Sequence, residues 1–271
     1  MPELPEVETS RRGIEPHILG QKVRDVIIRQ KKLRWAIPSQ LKKYIVNQTV
    51  LQVERRAKYI LINFETGCVI LHLGMSGSLR ITDQKVIPDK HDHLDICFAN
   101  NKILRLRDPR KFGAVLWTRS DPLKHKLLKS LGPEPLEDEF NGDYLYARAQ
   151  KRKVDIKSLI MNSHIVVGVG NIYASESLFR AGINPKRSAH RISRQRYEQL
   201  VTAIKQILQR AVEQGGTTLR DFTRENGKPG YFQQTLAVYG RSDEPCIQCG
   251  NKIRQFKQSQ RTTYYCSHCQ R

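Results

Sequence analysis

The chain begins with Met1-Pro-Glu-Leu-Pro-Glu-Val-Glu8, and this stretch contains the residues that the other motifs would support. Initiator methionine is usually removed ahead of a small residue such as proline, which would leave the secondary amine of Pro2 as the N-terminus. Such an amine titrates at roughly 8 and attacks carbonyl carbons to give an iminium intermediate. Glu3 and Glu6 follow within one helical turn and suit proton transfer or substrate binding. The alternative is that Pro2 only begins a helix, with the carboxylates favouring its positive end.

Composition narrows the class of partner. The 271 residues include 47 Lys and Arg against 26 Asp and Glu, a formal net charge of +21. This excess predicts a polyanionic partner, with nucleic acid ahead of an acidic membrane, and a steeply salt-dependent affinity. No apolar run approaches the roughly 18 residues of a membrane helix, and no signal peptide is apparent at the start. We therefore expect a monomeric protein of the reducing cytoplasm, without membrane association.

The first half of the chain has the pattern of a β-rich domain. A helix is predicted from Glu3 to about Ile14, ending near Gly13 or soon after. Short β-rich runs follow, at Val23–Gln30, Lys58–Phe64, Cys68–Leu73, Leu94–Phe98, Lys102–Arg107 and Ala114–Trp117. Turn residues separate these runs, a pattern that predicts an antiparallel sandwich or flattened barrel.

The second half changes to helical periodicity. A stretch rich in Pro, Gly and acidic residues begins at Leu131 and predicts a linker over residues 132–150. Helices are predicted at Ile156–Asn162, at Asn171–Ala181 and from an N-cap at Ser193 to Gly215. The predicted organisation is α+β and multidomain: an N-terminal β-sandwich domain with flanking helices (1–131), the linker, a helical domain (151–233) and a cysteine-rich tail (234–271).

The tail carries a metal-binding signature. Cys246 and Cys249 form one CxxC pair, and Cys266 and Cys269 form a second pair sixteen residues later. Each pair presents two sulfurs from one turn, and the intervening residues predict a β-hairpin that brings the pairs together. Four thiolates close a tetrahedral zinc site and leave no position for water. We therefore predict one structural zinc ion in a basic finger, and no organic cofactor.

Two loop motifs place an apolar side chain beside basic residues. These are His72-Leu-Gly-Met-Ser-Gly77 and Asp108-Pro-Arg-Lys-Phe-Gly113. Met75 and Phe112, with Arg110, have the chemistry to enter the space left when a base is flipped out of a duplex. The alternative is that the methionine and phenylalanine are core residues and that His72 is a satisfied histidine at a strand end.

Two further motifs are less specific. Val166-Val-Gly-Val-Gly-Asn171 places two glycines before a helix that Asn171 can cap, and free N–H groups at a helix start bind phosphate. It lacks the Lys-Ser/Thr pair of a P-loop, so a tight turn between helices is the simpler interpretation. Lys58, at the head of an apolar strand, is by itself typical of a solvated edge charge.

Taken together and in this order, the motifs resemble those of the bacterial formamidopyrimidine-DNA glycosylases over nearly the whole chain. Val166–Leu178 resembles that family's helix–two-turn–helix element, although Asn162 stands where the family usually has an acid, which predicts weaker local capping. The resemblance implies duplex DNA with an oxidised purine opposite cytosine as substrate. It also implies that loops at Gly215–Phe222 and Gly227–Phe232 cover the everted base.

The resemblance further implies a role for each motif. Pro2 would attack C1′ and form a Schiff base, with Glu3 in proton transfer, Glu6 in positioning and Lys58 as a second catalytic or phosphate-binding group. The expected DNA contacts are His72, Met75, Arg110, Phe112, Lys157, Asn171, Tyr239 and Arg261. β- and δ-elimination would then cut the strand. Two alternatives remain: an endonuclease VIII-like enzyme for oxidised pyrimidines, and a non-catalytic zinc-ribbon DNA-binding protein.

Overall fold

The computed structural model describes residues 2–215 and 236–271, and these residues form two compact units. The first comprises residues 2–130 together with Gly215, and the second comprises residues 131–214 and 236–271. The expected loops between residues 215 and 232, apart from Gly215, and the predicted boundary at 233/234 lie outside the described residues. Among the described residues, no helix is long and apolar enough to cross a membrane.

The first unit is a β-sandwich preceded by a helix. Its elements are α1 (Leu4–Ile18), β1 (Val23–Ile28), α2 (Leu41–Ile45), β2 (Gln52–Arg56), β3 (Tyr59–Phe64), β4 (Gly67–His72), β5 (Ser78–Asp83), β6 (Asp92–Phe98), β7 (Lys102–Arg107) and β8 (Ala114–Thr118). The strands form two antiparallel sheets, ordered β1-β6-β7-β5 and β2-β3-β4-β8. One apolar core contains residues of both sheets and of α1, which confirms the predicted sandwich.

Helix α1 is longer than the sequence indicated. It passes through Gly13 and Pro16 and ends at Ile18. Ile14 and Ile18 are fully buried in the core, so burial of this face stabilises the last turn against the unfavourable propensities of glycine and proline. Strands β2 and β5 were not predicted. Residues Gln52–Arg56 place only Val53 in the core, so their sequence lacks the apolar signal of a strand.

The second unit combines helices with a hairpin. Its elements are α3 (Gly142–Ala149), α4 (Ile156–Ile160), α5 (Asn171–Arg180), α6 (Arg194–Glu213), β9 (Arg254–Gln258) and β10 (Arg261–Tyr265). Strands β9 and β10 pair as an antiparallel hairpin, and Ser193 caps α6 as predicted. Residues 132–150 do not form a simple linker. They contain α3, whose Leu145 and Ala149 are fully buried, so the Pro- and Gly-rich composition hid a packed helix.

Asn162 caps the turn between α4 and α5. Its side-chain oxygen accepts a hydrogen bond from the His164 backbone N–H at 2.9 Å, and its carbonyl accepts from Ile165 at 2.8 Å. Asparagine is a good capping residue because its amide oxygen reaches a nearby backbone donor. The local turn therefore forms without the acid that is usual at this position.

Candidate functional site

The N-terminal residues form a buried entry into α1. Pro2 is buried, and the side chains of Glu3 and Glu6 are only 2% and 3% exposed. Glu3 is the N-cap residue, and its backbone N–H donates to Oε2 of Glu6 at 2.8 Å. Glu3 and Glu6 form a capping box, in which each carboxylate accepts a hydrogen bond from the backbone N–H of the other residue. The capping box holds two buried carboxylates beside Pro2.

Lys58 lies in the tight turn between β2 and β3, one residue before the strand that it was expected to begin. Arg56 pairs with Tyr59, so Ala57 and Lys58 alone form the loop. Ala57 has a φ of 55°, which is the left-handed conformation. Arg55 donates to the Ala57 carbonyl at 3.0 Å and contacts Glu8 of α1 at 3.1 Å. The Lys58 turn is thereby attached to the N-terminal helix.

His72 is held as a neutral side chain at the end of β4. Its Nδ1 accepts a hydrogen bond from the Gly74 N–H at 3.0 Å, and its ring packs against Tyr59 at 4.8 Å between centroids. Burial, with the charges of Lys58 and Arg34 nearby, lowers the pKa of His72 to about 4. The imidazole therefore offers a neutral Nε2–H donor at physiological pH, and not a cation.

The two loop motifs expose the side chains that the sequence singled out. Met75 is 38% exposed and Phe112 is 45% exposed, so neither is a core residue. The Arg110 guanidinium lies over the Phe112 ring at 5.0 Å, a cation–π contact between two exposed groups. Gly74 has a φ of 66° and lies so close to Phe112 that a Cβ would meet the Phe112 backbone at 2.4 Å. The two loops are therefore packed backbone against backbone.

Asp108 fixes the two loops to each other. It is fully buried, its Oδ1 accepts from the Ser76 hydroxyl at 3.2 Å, and its Oδ2 accepts from the Gly113 N–H at 2.7 Å. Its carbonyl also contacts Nε2 of His93 at 2.8 Å. Hydrogen bonds to a buried carboxylate are stronger than bonds between neutral groups. One side chain thus sets the spacing between the loop of Met75 and the loop of Phe112.

The second unit brings together Lys157 and Asn171. The ammonium of Lys157 donates to Oδ1 of Asn171 at 2.7 Å and to the hydroxyl of Thr263 at 2.6 Å. Asn171 does not cap α5, as the sequence had suggested. The N-cap is Gly170, and the Asn171 amide instead donates to the Thr262 carbonyl at 3.0 Å. A cation on the amide oxygen polarises the amide and strengthens its N–H groups as donors.

Tyr239 and Arg261 lie in the cysteine-rich part of the same unit. The Tyr239 hydroxyl is 3.5 Å from Nδ2 of Asn171, and Arg261 is an exposed residue at the start of β10. The Glu176 carboxylate accepts backbone N–H bonds from Ala237, Val238 and Tyr239 at 2.8 to 3.0 Å. Burial raises the pKa of Glu176, and these three donors offset part of that shift.

The four cysteines form a cluster of the size that zinc requires. All four sulfurs lie within 4.8 Å of one another, with Cys246 and Cys269 at 3.9 Å and Cys249 and Cys266 at 3.5 Å. Zinc–sulfur bonds of about 2.3 Å in a tetrahedron place sulfurs about 3.8 Å apart. The Asn251 amide donates to Cys249 at 3.4 Å, as groups around a metal-bound thiolate do. The donor set and its geometry fit one structural zinc ion.

Three supporting residues were missed by the sequence reasoning. These residues are Asp108, Glu8 and Glu176, and the motifs and helical patterns in which they lie do not predict their supporting contacts. Asp108 stands before a proline in a loop, which is a sequence signal for a side chain that accepts local N–H bonds. The contacts of Glu8 and Glu176 are distant in sequence and had no local signal.

Comparison with known proteins covers nearly the whole chain. Residues 1–115 match the model of the formamidopyrimidine-DNA glycosylase N-terminal domain, residues 131–223 match that family's H2TH domain, and residues 243–271 match a zinc finger found in FPG and IleRS. Formamidopyrimidine-DNA glycosylases of Syntrophotalea carbinolica and Escherichia coli are 56% and 53% identical to the chain over 271 residues, all of each protein.

Solved structures agree with these matches. A Lactococcus lactis FPG (MutM) in complex with a FAPY-dG containing DNA has a TM-score of 0.91 at 34% identity, with 99% of each chain covered. The MutM (FPG) protein of Thermus thermophilus has a TM-score of 0.88, also at 34% identity, with 99% of this chain and 98% of that chain covered. The likeness therefore extends through both units.

Proposed function

The chain belongs to the formamidopyrimidine-DNA glycosylase family, and we propose that it removes oxidised purines from duplex DNA and cleaves the resulting abasic strand. Among its relatives, Lactococcus lactis FPG has been crystallised with DNA containing FAPY-dG and with DNA containing an abasic site, which correspond to the two steps. The observation that carries the proposal is the buried entry at Pro2, Glu3 and Glu6. The capping box of Glu3 and Glu6 fixes the backbone next to Pro2, so an amine nucleophile and two carboxylates suited to proton transfer lie side by side.

The proposed reaction begins at Pro2. Its amine lone pair attacks C1′ of the damaged nucleotide, the bond from C1′ to the base breaks, and the base leaves with its electron pair. Glu3 serves proton transfer at the sugar, and an iminium (Schiff base) joins Pro2 to the opened sugar. β-elimination and then δ-elimination release the phosphates on either side. Glu6, which accepts the Glu3 N–H, holds the backbone that carries Pro2.

Lys58 supports this chemistry through its charge. A cation close to the Pro2 amine disfavours the ammonium form and increases the neutral, nucleophilic fraction. The turn of Lys58 is attached to α1 through Arg55 and Glu8, which supports a position near the helix start. Lys58 or the neutral His72 also provides a hydrogen-bond donor for the adjacent DNA phosphate.

Met75, Arg110 and Phe112 form the proposed wedge. Extraction of a base from the stack costs a few kcal/mol, and apolar side chains that fill the vacated space offset that cost. The exposure of Met75 and Phe112 supports this role, since side chains of a packed core would be unable to enter DNA. Arg110, already stacked on Phe112, carries the donors that would recognise the orphaned cytosine.

The second unit provides the proposed phosphate contacts. Lys157 orients and polarises the Asn171 amide, and Tyr239 and Arg261 add a hydroxyl and a guanidinium. The zinc ion is held by Cys246, Cys249, Cys266 and Cys269, stabilises the finger and takes no part in the chemistry. We place the protein in the cytoplasm, a reducing compartment that suits the free thiols of Cys68 and Cys97, and we propose that it acts as a monomer.

The test is product analysis on matched duplexes. A 5′-labelled duplex with 8-oxoguanine opposite cytosine should be incised to a fragment ending in a 3′-phosphate, the mark of β,δ-elimination. A duplex with thymine glycol serves as the comparison. Faster incision at thymine glycol would assign the pyrimidine-specific activity instead, and binding without incision of either duplex would leave a DNA-binding protein.

A further inference from the structure

We propose that Arg55, anchored by Glu8, is a positioning residue that fixes the Lys58 turn against helix α1 and so places the Lys58 charge for reaction at Pro2. This inference rests on the proposed function. It assigns Arg55 and Glu8 to the reaction although neither side chain is expected to touch the substrate.

The first observation is a continuous set of contacts from α1 to the turn. Nε of Arg55 donates to Oε2 of Glu8 at 3.1 Å, and Nη1 of the same guanidinium donates to the Ala57 carbonyl at 3.0 Å. The Glu8 and Arg55 side chains are only 12% and 13% exposed. A largely buried guanidinium that donates to two different acceptors has a fixed geometry, so it transmits position and not only charge.

The second observation is the conformation that Arg55 holds. Ala57 occupies the left-handed region at φ 55°, where an L-residue other than glycine is unfavourable. An unusual backbone conformation persists when surrounding contacts determine it. The hydrogen bond to the Ala57 carbonyl is one such contact, and the next residue in the turn is Lys58.

The third observation is that Glu8 contacts two other cations besides Arg55. Arg11 lies at 3.0 Å and Arg12 at 2.8 Å from Oε1 of Glu8, so this carboxylate is neutralised without Arg55. Burial raises the pKa of Glu8, but the hydrogen bonds from Arg11 and Arg12 together with the nearby charges outweigh it, so the pKa lies below its ordinary value and Glu8 remains charged. Arg12 is 56% exposed and, unlike Arg55, extends from the same helix as Glu8. The chain therefore contains a matched control for loss of one cation from Glu8.

The experiment is a double-mutant cycle between Arg55→Met and Lys58→Met. The readout is the single-turnover rate of the borohydride-trapped adduct with an 8-oxoguanine:cytosine duplex, at saturating enzyme. Displacement of a catalytic group by about 1 Å costs up to about 100-fold in rate, so we expect Arg55→Met to slow trapping by about 10- to 100-fold. Because Arg55 acts through Lys58, the double variant should be within about twofold of Lys58→Met alone.

Two further variants, Arg12→Met and Glu8→Gln, distinguish a loss of positioning from a loss of charge or of stability. Arg12→Met should trap within about twofold of the wild-type rate, because an exposed ion pair contributes little. Glu8→Gln keeps the shape of the anchor and should slow trapping less than Arg55→Met does. If Arg55→Met does not fold, the same cycle with Glu8→Gln and Lys58→Met decides the question.

Each outcome has a defined meaning. Any one of three results would overturn the positioning role: additive effects in the cycle, a wild-type rate for folded Arg55→Met, or equal losses in Arg12→Met and Arg55→Met. In each case, an adduct formed by the wild-type chain would still support the proposed function. No adduct with the wild-type chain would overturn both. A non-additive cycle with an unaffected Arg12→Met supports the proposal.

Discussion

Replacement of Asp108 tests whether one buried carboxylate holds the proposed wedge together. Asp108→Ala leaves the Gly113 N–H and the Ser76 hydroxyl without the oxygens that now accept from them at 2.7 and 3.2 Å. A hydrogen bond to a charged group contributes about 1.5–3 kcal/mol, and relief of the buried charge offsets part of the loss of two. We therefore expect the unfolding free energy to fall by about 3 kcal/mol.

Asp108→Asn is the matched variant. Its amide oxygen still accepts from Gly113, and its NH2 group donates to the Ser76 oxygen, so both contacts survive without charge assistance. We expect a loss of about 1 kcal/mol, because neutral hydrogen bonds are worth roughly half of charge-assisted ones. The exposed carboxylate of Asp89, paired with Arg107 at 2.8 Å, provides a surface control, and Asp89→Asn should leave the unfolding midpoint unchanged.

Two assays read the result. Thermal unfolding should show Asp108→Ala melting about 10 °C below wild type, with Asp108→Asn between them. Single-turnover excision of 8-oxoguanine should slow more in Asp108→Ala than in Asp108→Asn, since the loops of Met75 and Phe112 lose their fixed spacing. Equal melting and equal excision rates for wild type and Asp108→Ala would refute the role assigned to this carboxylate.

Three further predictions concern pH, metal and salt. The unfolded chain binds a proton at His72 below about pH 6.5, whereas the folded chain does so only near its pKa of about 4, so the free energy of unfolding decreases as the pH is lowered from about 6.5 to about 4. His72→Gln should flatten this pH dependence in chemical denaturation, and an unchanged slope would contradict the prediction. Chelation after mild thiol modification should release one zinc ion per chain and abolish DNA binding, with loss of metal but full affinity as the contrary result. The net charge of +21 predicts that log Kd rises steeply with log salt concentration, and a flat dependence would exclude phosphate contacts as the main source of affinity.

The features that the sequence predicted well are those with local signals. Apolar runs such as Cys68–Leu73 identified strands, and the helical stripe after Ser193 identified α6, because burial of one face imposes a period on the sequence. The cysteine spacing predicted the zinc cluster because a metal site needs two tight turns. The resemblance in motifs identified the family, which the comparisons confirm.

The features that were missed depend on contacts between distant residues. Asp108 reaches Ser76, and Arg55 reaches Glu8 across 47 positions, so neither pairing leaves a periodic trace in the sequence. Helix α3 was hidden because its buried face contributes few apolar residues next to a Pro- and Gly-rich stretch. Asn171 was expected to cap a helix, but a buried ammonium from Lys157 holds its side chain instead.

The most direct test of Pro2 as the nucleophile is the intact mass of the protein before and after borohydride treatment with the 8-oxoguanine:cytosine duplex. We expect a protein mass without Met1, a stable adduct with DNA, and peptide mapping that assigns the adduct to Pro2. An adduct on a lysine such as Lys58, or none at all with a confirmed Pro2 terminus, would contradict the assignment of Pro2 as the nucleophile.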